Sequence, residues 1–182
     1  MVKPKLIHVT ICVLLAVAFL SCKDGGERMQ LPDVGISTDE QLITLINQTE
    51  PFATYTLFPR ADSVTQGTLN GSHAHQPLVR VSMNAKAISA LPNDTLPAGS
   101  SFPDGSIIFK EIRMNGQAAL FAVIYKDRSN ALAANGWLWA EYSPTGNVVY
   151  SLTRSGGGCI GCHSFEQGPQ NDFVRTFERQ HP

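Results

Sequence analysis

Ser106-Ile107-Ile108-Phe109-Lys110-Glu111-Ile112-Arg113 is followed, after Met114, by Asn115-Gly116 and then by an apolar run over residues 118–126. Alternation predicts a strand over residues 106–113, with Ile108, Lys110 and Ile112 on one face and Ile107, Phe109, Glu111 and Arg113 on the other. An Asn-Gly pair between two such runs is a hairpin signal, so the two strands are expected to pair antiparallel. Lys110 then sits between two isoleucines on an apolar face. Two readings stand: an edge-strand lysine carrying its ammonium out to water, or an inward lysine. A buried lysine is costly unless neutral or paired, so the inward reading implies a function.

Working outward, residues 78–83 alternate, with Leu78, Arg80 and Ser82 opposite Val79, Val81 and Met83, and Asn84 caps a short helix over residues 85–91. Residues 136–142 carry Trp137 and Trp139 on one face, and Thr145-Gly146 turns into residues 147–152. Near the start, Thr38-Asp39-Glu40-Gln41 is a capping box for a helix over roughly 39–48, burying Leu42, Ile43, Leu45 and Ile46. Asn171 is expected to cap a last helix, with Phe173, Val174 and Phe177 inward. The fold class is therefore α+β, a mainly antiparallel sheet of about five strands with flanking helices. Residues 51–77 hold Pro51, Pro59, Gly67, Gly71 and Pro77 and read as irregular connections with room for one short strand. His73 and His75 fall there, as solvated loop side chains or as metal ligands.

Downstream of the strands comes Cys159-Ile160-Gly161-Cys162-His163. Cys-x-x-Cys-His is the attachment pattern of a c-type haem: each thiol adds to one vinyl group, and the histidine lies under the iron. A thioredoxin-like dithiol would open a helix after a strand, whereas this run follows Ser155-Gly156-Gly157-Gly158. A zinc site built from Cys159, Cys162, His73 and His75 fits no common spacing and leaves His163 without a role.

The N-terminus reads as an export signal, with Lys3 and Lys5 ahead of an apolar run over residues 6–20. Phe19-Leu20-Ser21-Cys22 is similar to a bacterial lipobox, although Phe19 departs from the usual leucine. In that reading residues 1–21 are removed, Cys22 takes the lipid, and residues 22–37 form a polar tether to a haem domain over residues 38–182. An ordinary signal peptide with an incidental cysteine is the alternative. The protein is then exported, periplasmic or anchored to the outer membrane. Each of the four cysteines has a task, Cys12 leaving with the signal, so no disulfide is expected. Removing Lys3 and Lys5 leaves 12 basic against 15 acidic side chains, a formal net of −3 without a basic block, which argues against a nucleic-acid partner.

Arg80, the run Phe102-Pro103-Asp104-Gly105-Ser106-Ile107-Ile108-Phe109-Lys110-Glu111, Gly136-Trp137-Leu138-Trp139-Ala140 and the late Cys-Ile-Gly-Cys-His-Ser together resemble the cytochrome P-460 family. The resemblance covers roughly residues 38–178 and implies a β-rich homodimer with a covalent haem c. In members that oxidise hydroxylamine, a lysine is bonded to a haem meso carbon, and Lys110 is the residue that matches. Arg80 matches a distal arginine that would hold an iron-bound nitrogen–oxygen ligand. The family's distal carboxylate has two candidates here, Glu111 and Glu141. The implied activity is hydroxylamine oxidation, with His163 on the iron, Lys110 and Arg80 in catalysis and an external electron acceptor. Members without the lysine bond bind nitric oxide instead. A simple electron-transfer cytochrome would need a second axial ligand from Met83, Met114, His73 or His75, and Met83 lies opposite Arg80 on its strand.

Overall fold

In the computed structural model the residues described are 35–67 and 74–182. The signal segment, Cys12, Cys22, most of the tether and His73 lie outside them. Among the described residues seven strands form one antiparallel sheet: β1 (Thr56–Leu57), β2 (Thr65–Gln66), β3 (Leu78–Met83), β4 (Ile107–Met114), β5 (Gln117–Lys126), β6 (Trp137–Tyr142) and β7 (Val148–Tyr150). Their order is β1-β3-β4-β5-β6-β7, with β2 also on β3. Thus the α+β antiparallel fold stands, with two strands more than expected. Both additions, β1 and β2, are two residues long, too short to show alternation.

The long β4–β5 hairpin is the centre of the sheet. Asn115 and Gly116 have φ of 51° and 78°, the paired left-handed conformations that match a two-residue hairpin to the twist of its strands. The alternation along β4 holds, and it divides the apolar side chains into two cores. On one face Ile107 and Phe109 join Phe121, Val123 and Tyr142 beneath Leu42 and Ile46. On the other, Ile108 and Ile112 join Val79, Val81, Met83, Trp137 and Trp139.

Helix α1 (Asp39–Thr44) covers the first face and continues as a wider turn over Leu45–Thr49. Its capping box forms as expected, Gln41 N donating to Thr38 Oγ1 at 3.2 Å and Thr38 N to Gln41 Oε1 at 3.0 Å. Leu42 and Ile46 are wholly buried, each contributing about 1.5–3 kcal/mol of apolar burial. Asp39 also accepts from Leu152 N at 2.8 Å and from Ser151 Oγ at 2.6 Å, so the helix start is tied to the chain just ahead of the cysteine motif. A four-residue helix α2 (Ala85–Ile88) follows β3, with Asn84 Oδ1 accepting from Ala87 N.

The expected C-terminal helix does not form. Asp172 and Phe173 have φ of 52° and 65°, and only short 3₁₀ turns flank them, Pro169–Asn171 and Arg175–Arg179. The reason lies in the backbone carbonyls. Asp172 O accepts from Trp137 Nε1 at 2.8 Å, and Phe173 O meets His163 Nδ1 at 2.6 Å, so both are committed to tertiary partners. The Asp172 carboxylate is buried against Lys126 at 2.8 Å and accepts from Phe102 N at 2.9 Å. Among the described residues no helix is long and apolar enough to cross a membrane.

Candidate functional site

The cysteine motif begins where Gly156, Gly157 and Gly158 turn the chain after β7. Gly156 has φ of 68°, and a Cβ there would come within 2.7 Å of Trp139 Cδ1 and 2.9 Å of Ile160 Cδ1. Glycine is what lets this turn lie against the β6 tryptophan. A four-residue helix α3 (Ile160–His163) follows, with His163 N donating to Cys159 O at 3.1 Å. This single turn brings Cys159, Cys162 and His163 to the wall of one cavity of about 360 Å³, within the range of cofactor sites.

His163 is fixed from two sides. Its Nδ1 donates to Phe173 O at 2.6 Å, and Trp139 meets the ring edge-to-face with centroids 4.8 Å apart. Burial, with Lys110 as a lesser cause, pushes its pKa down to about 3, so the imidazole is neutral. With the proton on Nδ1, the lone pair is on Nε2, the form that ligates a metal. Cys159 and Cys162 form no disulfide, and burial raises the Cys159 thiol above its usual pKa.

The opposite wall is the sheet. Val81, Lys110, Ala122, Glu141 and Tyr150 follow one another across β3, β4, β5, β6 and β7 in a single register row, and all five line the cavity. Lys110 therefore points inward. Burial lowers its pKa to about 8; Glu141 opposes that shift, and Arg175 and Arg179 add to it. His75 reaches the same wall from the loop before β3. Its Nδ1 lies 3.3 Å from Lys110 Nζ and its Nε2 3.2 Å from Glu141 Oε1. Burial, then Lys110, lower the His75 pKa against the pull of Glu141. A neutral His75 with its proton on Nε2 donates to Glu141 and accepts from Lys110.

His75 is thus not a solvated loop side chain. Sequence patterning carries no signal for where a Gly/Ser-rich loop folds back, so its place beside Lys110 could not be read from the chain. Three arginines missed in the sequence, Arg154, Arg175 and Arg179, also line the cavity. Arg175 is held by Glu178 at 2.7 Å and donates to Cys162 O at 3.1 Å, which ties the motif to the last turn.

Arg80 requires a correction. It is not among the cavity-lining residues: its side chain is 45% exposed and lies 3.8 Å from Glu111, which pairs with Arg113 at 2.6 Å. Arg80 registers with Glu111, and its neighbour Val81 registers with Lys110, so the pleat sends Arg80 to the face opposite the cavity. The distal role carried by the resemblance does not suit that position. Of the two candidate carboxylates, Glu141 lines the cavity and Glu111 does not. Met83 is buried in the core and Met114 is exposed, and neither lines the cavity. Among the described residues no group of three His, Cys, Asp or Glu side chains could hold a metal ion.

The family model for cytochrome P460 matches residues 61–176, more than half of the chain and nearly the whole cavity wall. The chain belongs to the cytochrome P460 family. No curated protein matches it. A cytochrome of this family takes haem, and the residues present fit that group. An apolar wall of Val79, Val81, Ile108 and Ile124 suits the porphyrin, a neutral histidine presents Nε2, and the lining arginines suit the haem's two carboxylates.

Proposed function

We propose that this cytochrome P460 family member is a c-type mono-haem cytochrome that oxidises hydroxylamine. The supporting observation is that Lys110 and the Cys159–His163 motif face one cavity. In this reading Cys159 and Cys162 hold haem through thioethers, and His163 ligates iron through Nε2 while Phe173 O fixes its orientation. Haem bound there would supply redox chemistry suited to a small nitrogen compound, with an external acceptor for the electrons. Lys110 would bond through its nitrogen to the porphyrin edge, which would remove the cost of a buried ammonium. Glu141, joined to His75, takes protons from the substrate. Arg80 has no part in this site.

Both His75 ring nitrogens are already engaged, by Lys110 and Glu141, and no cavity-lining residue is a methionine. Among the described residues, then, His75, Met83 and Met114 are not placed to serve as a second axial ligand, while His73 lies outside them. The proposal extends to export, a lipid anchor at Cys22 and a homodimer.

The test is protease digestion followed by mass spectrometry of haem-bearing peptides, paired with turnover of Lys110→Leu. Haem on both the Cys159–Cys162 peptide and the Lys110 peptide, with hydroxylamine oxidation lost in the variant, is the expected result. Haem on the cysteine peptide alone, with no turnover in the unaltered protein, makes nitric oxide binding the better account.

A further inference from the structure

Lys110 and Glu141 face the cavity from strands separated by β5, about 9.6 Å apart at two strand spacings. Direct contact between them would make an ion pair and hold the lysine as an ammonium, which has no lone pair to give. His75 stands between, with Nδ1 toward Lys110 Nζ at 3.3 Å and Nε2 toward Glu141 Oε1 at 3.2 Å. An imidazole so placed accepts at one nitrogen while it donates at the other, which converts a would-be ion pair into a proton path.

We propose that His75, backed by Glu141, is the base that takes the proton from Lys110 so that the lysine nitrogen can bond to the porphyrin. The inference rests on the cross-linked reading of Lys110 and concerns how the link is made.

The balance is as follows. The ammonium of Lys110 first gives one proton to His75 Nδ1, and the Nε2 proton passes toward Glu141. One N–H of the free amine and the meso C–H then break, and a C–N bond forms. Two electrons and two protons leave, and a peroxide takes them up to give two waters. The groups facing Lys110 are His75, Glu141, Arg175 and Arg179, with His163 also in its field. Of these, Glu141 favours the ammonium and the arginines oppose it. Among the described residues, His75 lies within hydrogen-bond reach of the amine and has a nitrogen able to accept.

The experiment follows linkage by mass spectrometry in the haem-loaded protein treated with hydrogen peroxide at about pH 7. In the unaltered protein, haem should come to carry the Lys110 peptide as well as the cysteine peptide. His75→Ala should keep haem on Cys159 and Cys162 yet link Lys110 at least about tenfold more slowly. Added imidazole, or a pH above about 9, where the amine loses its proton unaided, should restore the rate. Glu141→Gln should slow linkage less than His75→Ala does. An unchanged rate in His75→Ala overturns the proposal, as does slow linkage that neither imidazole nor raised pH restores. Haem on the cysteine peptide alone in the unaltered protein instead defeats the cross-linked reading itself, and this inference with it.

Discussion

Lys110 and Glu141 occupy the same register row of the sheet, and the residue of β5 that separates them in that row is Ala122, whose side chain is a methyl group. A larger residue there would enter the space that His75 spans and that a flat ligand must share. Ala122→Leu is therefore expected to lower the haem-to-protein ratio severalfold while leaving the cysteines intact. Its overpacking should also cost about 1–3 kcal/mol, read from the urea unfolding midpoint. Full haem loading in that variant would show that the ligand does not lie along this row.

The buried pair Lys126–Asp172, 2.8 Å apart, holds the segment whose next carbonyl binds His163. Asp172→Asn leaves Lys126 buried without its counter-charge and should cost about 3–5 kcal/mol. Lys126→Met combined with Asp172→Asn removes both charges and should cost less than Asp172→Asn alone. Denaturant unfolding of these two variants and of Lys126→Met alone checks the order, and additive losses would refute the pairing.

In the haem-free chain the Lys110 amine has its pKa lowered from 10.5 to about 8, chiefly by burial. The unfolded chain therefore holds a proton through this interval that the folded chain releases. Stability should fall as pH drops from about 10.5 to about 8 and level off below it. Lys110→Leu removes that slope. Unfolding midpoints of the two proteins across this range, compared as a difference, isolate the lysine from the tyrosines that also titrate there. Parallel curves would mean that the amine keeps its ordinary pKa.

Arg80→Ala should do little. The side chain is 45% exposed and its 3.8 Å contact with Glu111 is of a kind that contributes about 0–1 kcal/mol. Haem loading should be unchanged and the proposed hydroxylamine turnover should stay within about twofold, because the residue lies across the sheet from the cavity. A large loss of turnover would return Arg80 to the site and contradict its place on β3.

Alternation was the most legible signal in this chain. It assigned Lys110 to the face of Ile108 and Ile112, Trp137 and Trp139 to one side, and Met83 to the side opposite Arg80, all as found. The same alternation, once β3 is paired with β4, places Val81 beside Lys110 and Arg80 beside Glu111. The signal that removes Arg80 from the cavity was thus in the sequence, and the resemblance pointed the other way. The C-terminal helix failed for a different reason. Phe173, Val174 and Phe177 have helical spacing, but the carbonyls of Asp172 and Phe173 are taken by Trp137 and His163, a demand no local pattern records. His75 was illegible because its partners lie 35 and 66 positions away, on strands its own loop does not join.

The pleat of β4 gives the Asn115-Gly116 turn and the register shift at Ile112/Arg113 a chemical meaning as well as a mechanical one. Side chains on a strand change sides with every step, so a slip of β4 by one position would exchange the whole cast. Glu111 and Arg113 would arrive in the cavity, while the amine of Lys110 would be driven among Phe52, Phe109 and Phe121. The chain would still be a sheet, yet no lysine would face His163. The chemistry proposed for this cavity is addressed by parity, and a two-residue turn keeps the count.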